Sequence, residues 1–147
     1  MSKTCNYLHI VFGTKYHRNT IPLDKKERLY SYISGVVKNK KSSLIAIGGI
    51  ENHVHILIDL HPGIALADLV KDIKVSSTKM LQHTFIFPLY EGWASEYFAS
   101  SVSPSHTDKV KEYIKNQVQH HHGNEYAMEV ESFVKKMGFV LHKDDLD

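Results

Sequence analysis

Two histidines separated by one residue could together hold a metal ion. His53 and His55 flank Val54 in an apolar run, and alternate side chains of a β-strand point to the same face of its sheet. On a strand, their Cβ atoms would lie about 6.5–7 Å apart, a separation from which two imidazoles can converge on one ion. A pair of polar residues on a half-exposed strand is the ordinary alternative, so the pattern alone is a weak indicator.

A second group of polar residues recurs at helical spacing. Tyr113, Gln117 and His121 follow one another at i, i+4 and i+8, which would place them along one flank of a helix, beside an apolar stripe formed by Val110, Ile114 and Val118. Gln117 can offer a carbonyl oxygen to a metal, and Tyr113 would lie one turn away. The alternative is that Tyr113 is an amphipathic residue at the edge of the core and Gln117 is solvated.

These residues must be positioned by an α+β fold. Hydrophobic periodicity predicts strands at residues 7–14, 43–47, 53–60 and 97–102, and helices after Pro22, at residues 66–81 and from 105 to about 122, with a final helical pattern at 125–137. Asp24 and Glu27 resemble a capping box before the first helix. The order of elements predicts a ferredoxin-like, RRM-like antiparallel sheet backed by helices, with a C-terminal helix carrying Tyr113. We expect one domain over residues 1–147.

Composition limits the classes of protein to consider. Hydrophobic residues make up 42% of the 147 and charged residues 23%, which is typical of a globular domain. Cys5 is the only cysteine, so an internal disulfide and a zinc site built mainly on thiolates are excluded. The N-terminus lacks the apolar stretch of a signal peptide or membrane span, and we expect a cytoplasmic protein. The net charge, 18 − 16 = +2, does not by itself indicate nucleic-acid binding, whereas eleven histidines are unusual.

Four blocks of the chain resemble one known family. They are residues 9–15, 48–57, 101–105 and 113–121, and they span roughly residues 6–122 in the family's order. His-x-His is common by chance, but joined to Tyr-Ile-x-Asn-Gln-x-x-His-His at this separation it is specific. The chain resembles the HUH-type single-tyrosine transposases of small insertion sequences, called TnpA, and their REP-associated relatives.

This resemblance implies a mechanism and a set of site residues. His53, His55 and Gln117 would hold a metal, and Tyr113 would attack single-stranded DNA to leave a 5′-phosphotyrosine linkage and a 3′-hydroxyl, with strands rejoined without ATP. Two imidazoles and an amide oxygen suit Mg²⁺ or Mn²⁺. His121 would be an extra ligand, a proton shuttle or a packing residue. The expected partners are DNA with hairpin-forming ends and a second copy of the chain in a homodimer.

Basic residues in two segments are candidates for phosphate contacts. Those after the first strand are Lys15, His17 and Arg18, and those on the long helix are Lys71, Lys74 and Lys79. A solvated helix face is the usual role of such lysines. Some aromatic residues could stack on unpaired bases but more often belong to the core: Tyr7, Trp93, Tyr97 and Phe98.

Three other functions are compatible with the sequence. A domesticated relative that processes repeats in its own genome would carry the same catalytic residues. A ferredoxin-like nucleic-acid-binding module would need neither the histidines nor Tyr113. A metal-dependent phosphodiesterase would use water in place of Tyr113. One departure from the family is Asn52, which stands where relatives often have an acidic residue and bears on the tuning of the histidines but not on the ligands themselves.

Overall fold

Four strands and three α-helices make up the described part of the chain. The structure is a computed structural model, and it describes residues 2–117. The elements are β1 (Tyr7–Gly13), α1 (Lys26–Asn39), β2 (Ser43–Ile50), β3 (His53–Asp59), α2 (Leu66–His83), β4 (Phe98–Ser101) and α3 (Thr107–Lys115). Short 3-10 turns lie at Lys15–His17 and Pro104–His106. The helical pattern predicted at 125–137 lies outside the described residues, as does His121.

The sheet has the strand order β2-β3-β1-β4, and every pairing is antiparallel. Combined with the chain order of strands and helices, this is the ferredoxin-like arrangement that the sequence predicts. β3, the histidine strand that carries His53 and His55, lies between β1 and β2 and is paired with both of them along its length. His55 is opposite Val11 on one side and Gly48 on the other.

One face of the sheet carries the main hydrophobic core. Alternate residues of the two central strands point to this face, and α1 and α2 cover it. Its fully buried members include Ile10, Phe12, Val54, Ile56 and Ile58 from the strands, and Leu29, Ile33, Leu69 and Ile73 from the helices. Burial of such side chains stabilises the fold by roughly 1.5–3 kcal/mol each, so this layer fixes the position of β3.

The opposite face is covered by α3. Its fully buried Ile114 packs with Ala46 and Leu57, and Val110 and Tyr7 flank this smaller cluster. This second face of the sheet therefore carries α3, the tyrosine helix, which includes Tyr113. Successive side chains of β3 point to opposite faces of the sheet, and Leu57, which packs against α3, lies on the same face as His53 and His55.

Local differences from the predicted elements have simple causes. β2 continues through Gly48 and Gly49 to Ile50, because both glycines stay paired with β3. α1 begins at Lys26 with no side-chain cap, so the capping box predicted at Asp24 and Glu27 does not form. α3 is described from Thr107 to Lys115, Gln117 remains close to it, and the rest of the helix predicted to about residue 122 lies outside the described residues. Among residues 2–117, no helix is long and apolar enough to cross a membrane.

Candidate active site

The histidine pair lies at the centre of the face covered by α3. His53 and His55 are 0% and 1% exposed, and their ring centroids are 5.1 Å apart. The prediction that the two side chains share a face of β3 is confirmed. The alternative of a half-exposed strand is wrong for these positions, because α3 covers them.

Gln117 reaches the same point from the end of α3. Its Oε1 is 3.2 Å from His53 Nε2, and its Nε2 donates to the carbonyl of Tyr113 at 3.3 Å. That donated bond fixes which amide atom faces the histidine. Gln117 is 1% exposed, so the interpretation of it as a solvated residue is wrong.

Asn52 determines the proton arrangement on His53. Asn52 Nδ2 donates to the His17 carbonyl at 3.3 Å, so its Oδ1 faces His53 Nδ1 at 2.8 Å. An amide oxygen only accepts, and the proton of a neutral imidazole therefore lies on Nδ1. His53 Nε2 lies within hydrogen-bond distance of Gln117 Oε1, and in this tautomer it is the ring nitrogen that could bind a metal.

A buried imidazole nitrogen and an amide oxygen at this separation could bind one cation together. Adjacent ligands of an octahedral ion with bonds of 2.0–2.1 Å lie about 3 Å apart, and the 3.2 Å between His53 Nε2 and Gln117 Oε1 agrees with this spacing. Within residues 2–117, no group of three His, Cys, Asp or Glu residues could hold a metal. Among these residues, a donor set at this position would combine the imidazoles with the amide oxygen.

Tyr113 lies over this group of donors at the edge of solvent. Its ring centroid is 5.7 Å from that of His55, and the two rings meet edge to face. The side chain is 36% exposed. A phenol in this position combines access from solvent with proximity to the buried donors, which a nucleophile acting on a polymer requires.

Gly48 allows α3 to approach the sheet this closely. A Cβ built on Gly48 would lie 2.1 Å from the carbonyl oxygen of Ile114, a distance that no side chain can occupy. Gly48 is opposite His55 in the sheet. The absence of a side chain therefore sets the separation between the tyrosine helix and the histidine strand.

The loop at residues 15–18 lies beside the site. Asn52 connects the two, because it bonds to His17 on one side and to His53 on the other. Lys15 and Arg18 are exposed, and both lie over the ring of Tyr16, itself 62% exposed. Arg18 also pairs with Glu91 at 3.0 Å on the surface. The loop that carries three of the predicted DNA contacts is thus joined to the candidate site through Asn52.

The three lysines predicted on α2 lie in the other layer. Lys71 and Lys79 are exposed on the solvent side of α2, which covers the sheet face opposite the histidines. Lys74 is partly buried, and its Nζ donates to the carbonyls of Ala94, Ser95 and Glu96 at 2.8–3.3 Å. Burial lowers the pKa of Lys74, and Glu96 partly opposes this shift. Lys74 therefore holds the segment before β4 against α2.

Among the aromatic residues considered for base stacking, Trp93 is packed into the protein. Its ring lies 5.0 Å from Phe12 and 5.7 Å from Tyr90, measured between centroids. Its Nε1 donates to Ser77 Oγ at 2.9 Å. These contacts agree with the alternative that this aromatic residue belongs to the core.

Sequence reasoning missed two contributors to the site, His9 and Gly48. His9 is 6% exposed on β1, and its Nε2 is 2.8 Å from His55 Nδ1. In the sequence, His9 stands only in the first block of the family resemblance, residues 9–15, with no role attached to it. The available signal was a third histidine on a neighbouring strand, which becomes informative once the pairing register is known.

Comparisons with known proteins point to transposases. Residues 2–117 match the sequence profile of the family described as "Transposase IS200 like". Over 120 residues, the chain is 26% identical to the transposases for insertion sequence element IS200 of Salmonella typhimurium and of Salmonella typhi, covering 78% of this chain and 78% of each relative. The class of protein is therefore that of the DNA transposases.

Solved structures share the fold. A candidate transposase from Deinococcus radiodurans superposes with a TM-score of 0.61 at 22% identity, over 80% of this chain and 95% of that one. A REP-associated tyrosine transposase bound to a REP hairpin gives a TM-score of 0.59 at 14% identity, over 78% of this chain and 70% of that one. The chain belongs to the IS200-like family of single-tyrosine transposases, which confirms the resemblance recognised in the sequence.

Proposed function

We propose that this transposase cuts and rejoins single-stranded DNA with Tyr113 as nucleophile and a divalent ion held by His53, His55 and Gln117. The observation that carries the proposal is the buried convergence of His53, His55 and Gln117, with His53 Nε2 and Gln117 Oε1 3.2 Å apart. Tyr113 precedes Gln117 by one helical turn, and its ring packs against His55. The nucleophile and two ligands thus belong to one packed unit.

In the proposed reaction, the phenol oxygen of Tyr113 attacks a backbone phosphorus in line with the 3′ oxygen. The new bond joins the tyrosine oxygen to phosphorus, and the bond from phosphorus to the 3′ oxygen breaks. The phenol loses its proton and the departing 3′ oxygen gains one, which leaves a 5′-phosphotyrosine and a 3′-hydroxyl. One phosphodiester replaces another, so a 3′-hydroxyl can reverse the reaction and reseal a strand.

Mg²⁺ or Mn²⁺ bound by these residues would partly neutralise the negative charge that builds on the phosphate oxygens. The protein's own residues then position the reacting groups. α3 carries Tyr113 close to the scissile phosphate, and its packing on Ala46 and Leu57 limits the positions that the phenol can sample. Because His53 and His55 are buried, the ligand side of the site excludes most bulk water.

The proposed substrate is DNA with hairpin-forming ends. Support comes from the structural neighbour whose bound ligand is a REP hairpin and from the exposed cations Lys15 and Arg18 beside the site. We further propose that two copies act together as a homodimer, and that the protein acts in the cytoplasm. Whether this copy mobilises an element or processes resident repeats depends on the DNA ends that it recognises.

Trapping the covalent intermediate tests the role of Tyr113. The protein is incubated with single-stranded DNA carrying candidate element ends and Mn²⁺, then denatured and resolved on a gel. We expect a denaturation-resistant protein–DNA adduct that is lost in Tyr113→Phe. Tyr32→Phe is a matched control, because Tyr32 is 38% exposed and lies on α1. Cleavage that survives Tyr113→Phe would indicate a phosphodiesterase that uses water.

Metal binding tests the ligand assignment separately. Binding of Mn²⁺ is measured by electron paramagnetic resonance on the protein without DNA. We expect His53→Ala to lose both binding and cleavage, whereas His83→Ala, at the exposed end of α2, should retain both. Unchanged Mn²⁺ affinity in a folded His53→Ala variant would show that His53 is not a ligand.

A further inference from the structure

A third buried histidine lies next to the proposed metal ligands. His9 is 6% exposed, and its Nε2 lies 2.8 Å from Nδ1 of His55. The register explains this contact. His9 is opposite Leu57 and Val11 is opposite His55, so His9 and His55 are diagonal neighbours on one face of the sheet, close enough for long side chains to meet.

We propose that His9 is a positioning residue that accepts a hydrogen bond from His55 Nδ1 and thereby directs the lone pair of His55 Nε2 to the metal. This inference rests on the proposed function. A neutral imidazole carries its proton on one nitrogen only. With His9 as acceptor, the proton lies on Nδ1 and Nε2 can coordinate. With His9 as donor, Nε2 would be protonated and His55 could not be a ligand through it.

The same arrangement recurs at the neighbouring ligand, with a different side chain as acceptor. Asn52 Oδ1 lies 2.8 Å from His53 Nδ1, and His9 Nε2 lies at the same distance from His55 Nδ1. Each ligand is thus held at Nδ1 by a residue outside its own strand: one from the turn before β3 and one from β1. Hydrogen bonds of this kind orient metal-bound imidazoles and fix their tautomer.

His9 also contributes to packing, and the test must separate the two roles. Its ring centroid is 6.3 Å from that of Tyr113, in an edge-to-face arrangement. His9→Phe keeps an aromatic ring beside Tyr113 but removes the acceptor. His9→Gln removes the ring but retains an acceptor on a side chain of similar reach. A residue that acts only through packing would be better replaced by Phe, and a hydrogen-bonding residue by Gln.

The decisive readout is the tautomer of His55 in the protein without metal or DNA. Nitrogen-15 NMR distinguishes the two imidazole nitrogens by their coupling to the ring protons. We expect His55 to be protonated mainly at Nδ1 in the unaltered protein and in His9→Gln, and to shift toward Nε2 protonation in His9→Phe. A His55 protonated mainly at Nε2 in the unaltered protein would overturn the proposal, whichever variants fold.

Metal affinity provides the second readout. Loss of such a partner typically weakens binding by roughly ten- to a hundredfold, so we expect Mn²⁺ affinity to fall by about that factor in His9→Phe and to recover largely in His9→Gln. Circular dichroism verifies that each variant is folded. Unchanged affinity in a folded His9→Phe would contradict the proposal. If the unaltered protein binds no metal, the proposed function fails, while the tautomer measurement still reports on His9.

Discussion

Replacing Gly48 with alanine should separate the tyrosine helix from the histidine strand without removing any polar group of the site. The added Cβ would lie 2.1 Å from Ile114 O, whereas ordinary contact begins at 3.4 Å, so β2 and α3 must part by about 3.4 − 2.1 = 1.3 Å. The obstacle is backbone, which cannot turn away as a flexible side chain would.

A displacement of this size is large compared with the precision to which reacting groups must be placed. Misplacement of reacting groups by 1 Å can slow a reaction by about a hundredfold. Gln117 would also recede from His53 beyond the present 3.2 Å, which should weaken the proposed metal site. Overpacking costs about 1–3 kcal/mol and occasionally more, against roughly 5–15 kcal/mol for the stability of an ordinary domain, so the variant should still fold.

Three measurements on Gly48→Ala follow from this reasoning: the rate of DNA adduct formation, the Mn²⁺ affinity and the thermal unfolding curve. We expect the rate to fall by about a hundredfold or more and the affinity to fall with it, while a cooperative unfolding transition remains. Gly35→Ala is the matched control, because nothing lies within 4 Å of its added Cβ on α1. A folded Gly48→Ala with unaltered rate and affinity would refute the argument.

Other substitutions test the cations and a buried phenol. Replacing both Lys71 and Lys79 with alanine should change the free energy of unfolding by no more than about 0.5 kcal/mol. For each of these lysines that contacts a DNA phosphate, the slope of log DNA affinity against log salt concentration should become shallower by about 0.7. Lys74→Met should lose about 1–3 kcal/mol in denaturant unfolding, because three charged hydrogen bonds disappear; unaltered stability would contradict its anchoring role. Burial raises the pKa of Tyr90 to about 12, against the opposing hydrogen bond with Thr78. Folding therefore binds the phenol proton more tightly, and stability should decline as pH rises from about 10 to 12. Burial also raises the pKa of Tyr30, so Tyr90→Phe should show a smaller decline; an equal decline would exclude a contribution from Tyr90.

Much of the site follows from local rules. Strand alternation places His53 and His55 on one face, and the separation of four residues keeps Gln117 beside Tyr113, with Gln117 Nε2 donating to the Tyr113 carbonyl. Both relations depend only on residues near one another in sequence. They are therefore available without knowledge of the tertiary fold.

The remainder depends on tertiary packing. Contact between α3 and β3 requires α3 to lie on one particular face of the sheet, and Gly48 permits this because α3 approaches its backbone there. A pair of glycines in a sequence more often indicates a turn, which is why the strand was predicted to end before them. The role of His9 likewise depends on the register of β1 with β3, which residue patterns alone do not determine.

Lysine spacing was informative about the helix but not about the role of each lysine. The sequence groups three lysines on this helix as candidate phosphate contacts: Lys71, Lys74 and Lys79. Of these, Lys74 donates hydrogen bonds to three carbonyls of the segment before β4. That segment has no regular pattern in the sequence. Its position against α2 could not be anticipated.

The most direct test of the account is to identify the residue that becomes joined to DNA. The adduct formed with Mn²⁺ and single-stranded element ends is digested with nuclease and protease, and the peptides are analysed by mass spectrometry. The account predicts a nucleotide attached through its 5′ phosphate to Tyr113 and to no other of the eight tyrosines. A nucleotide on a different residue, or cleaved DNA ends with no attached peptide, would contradict it.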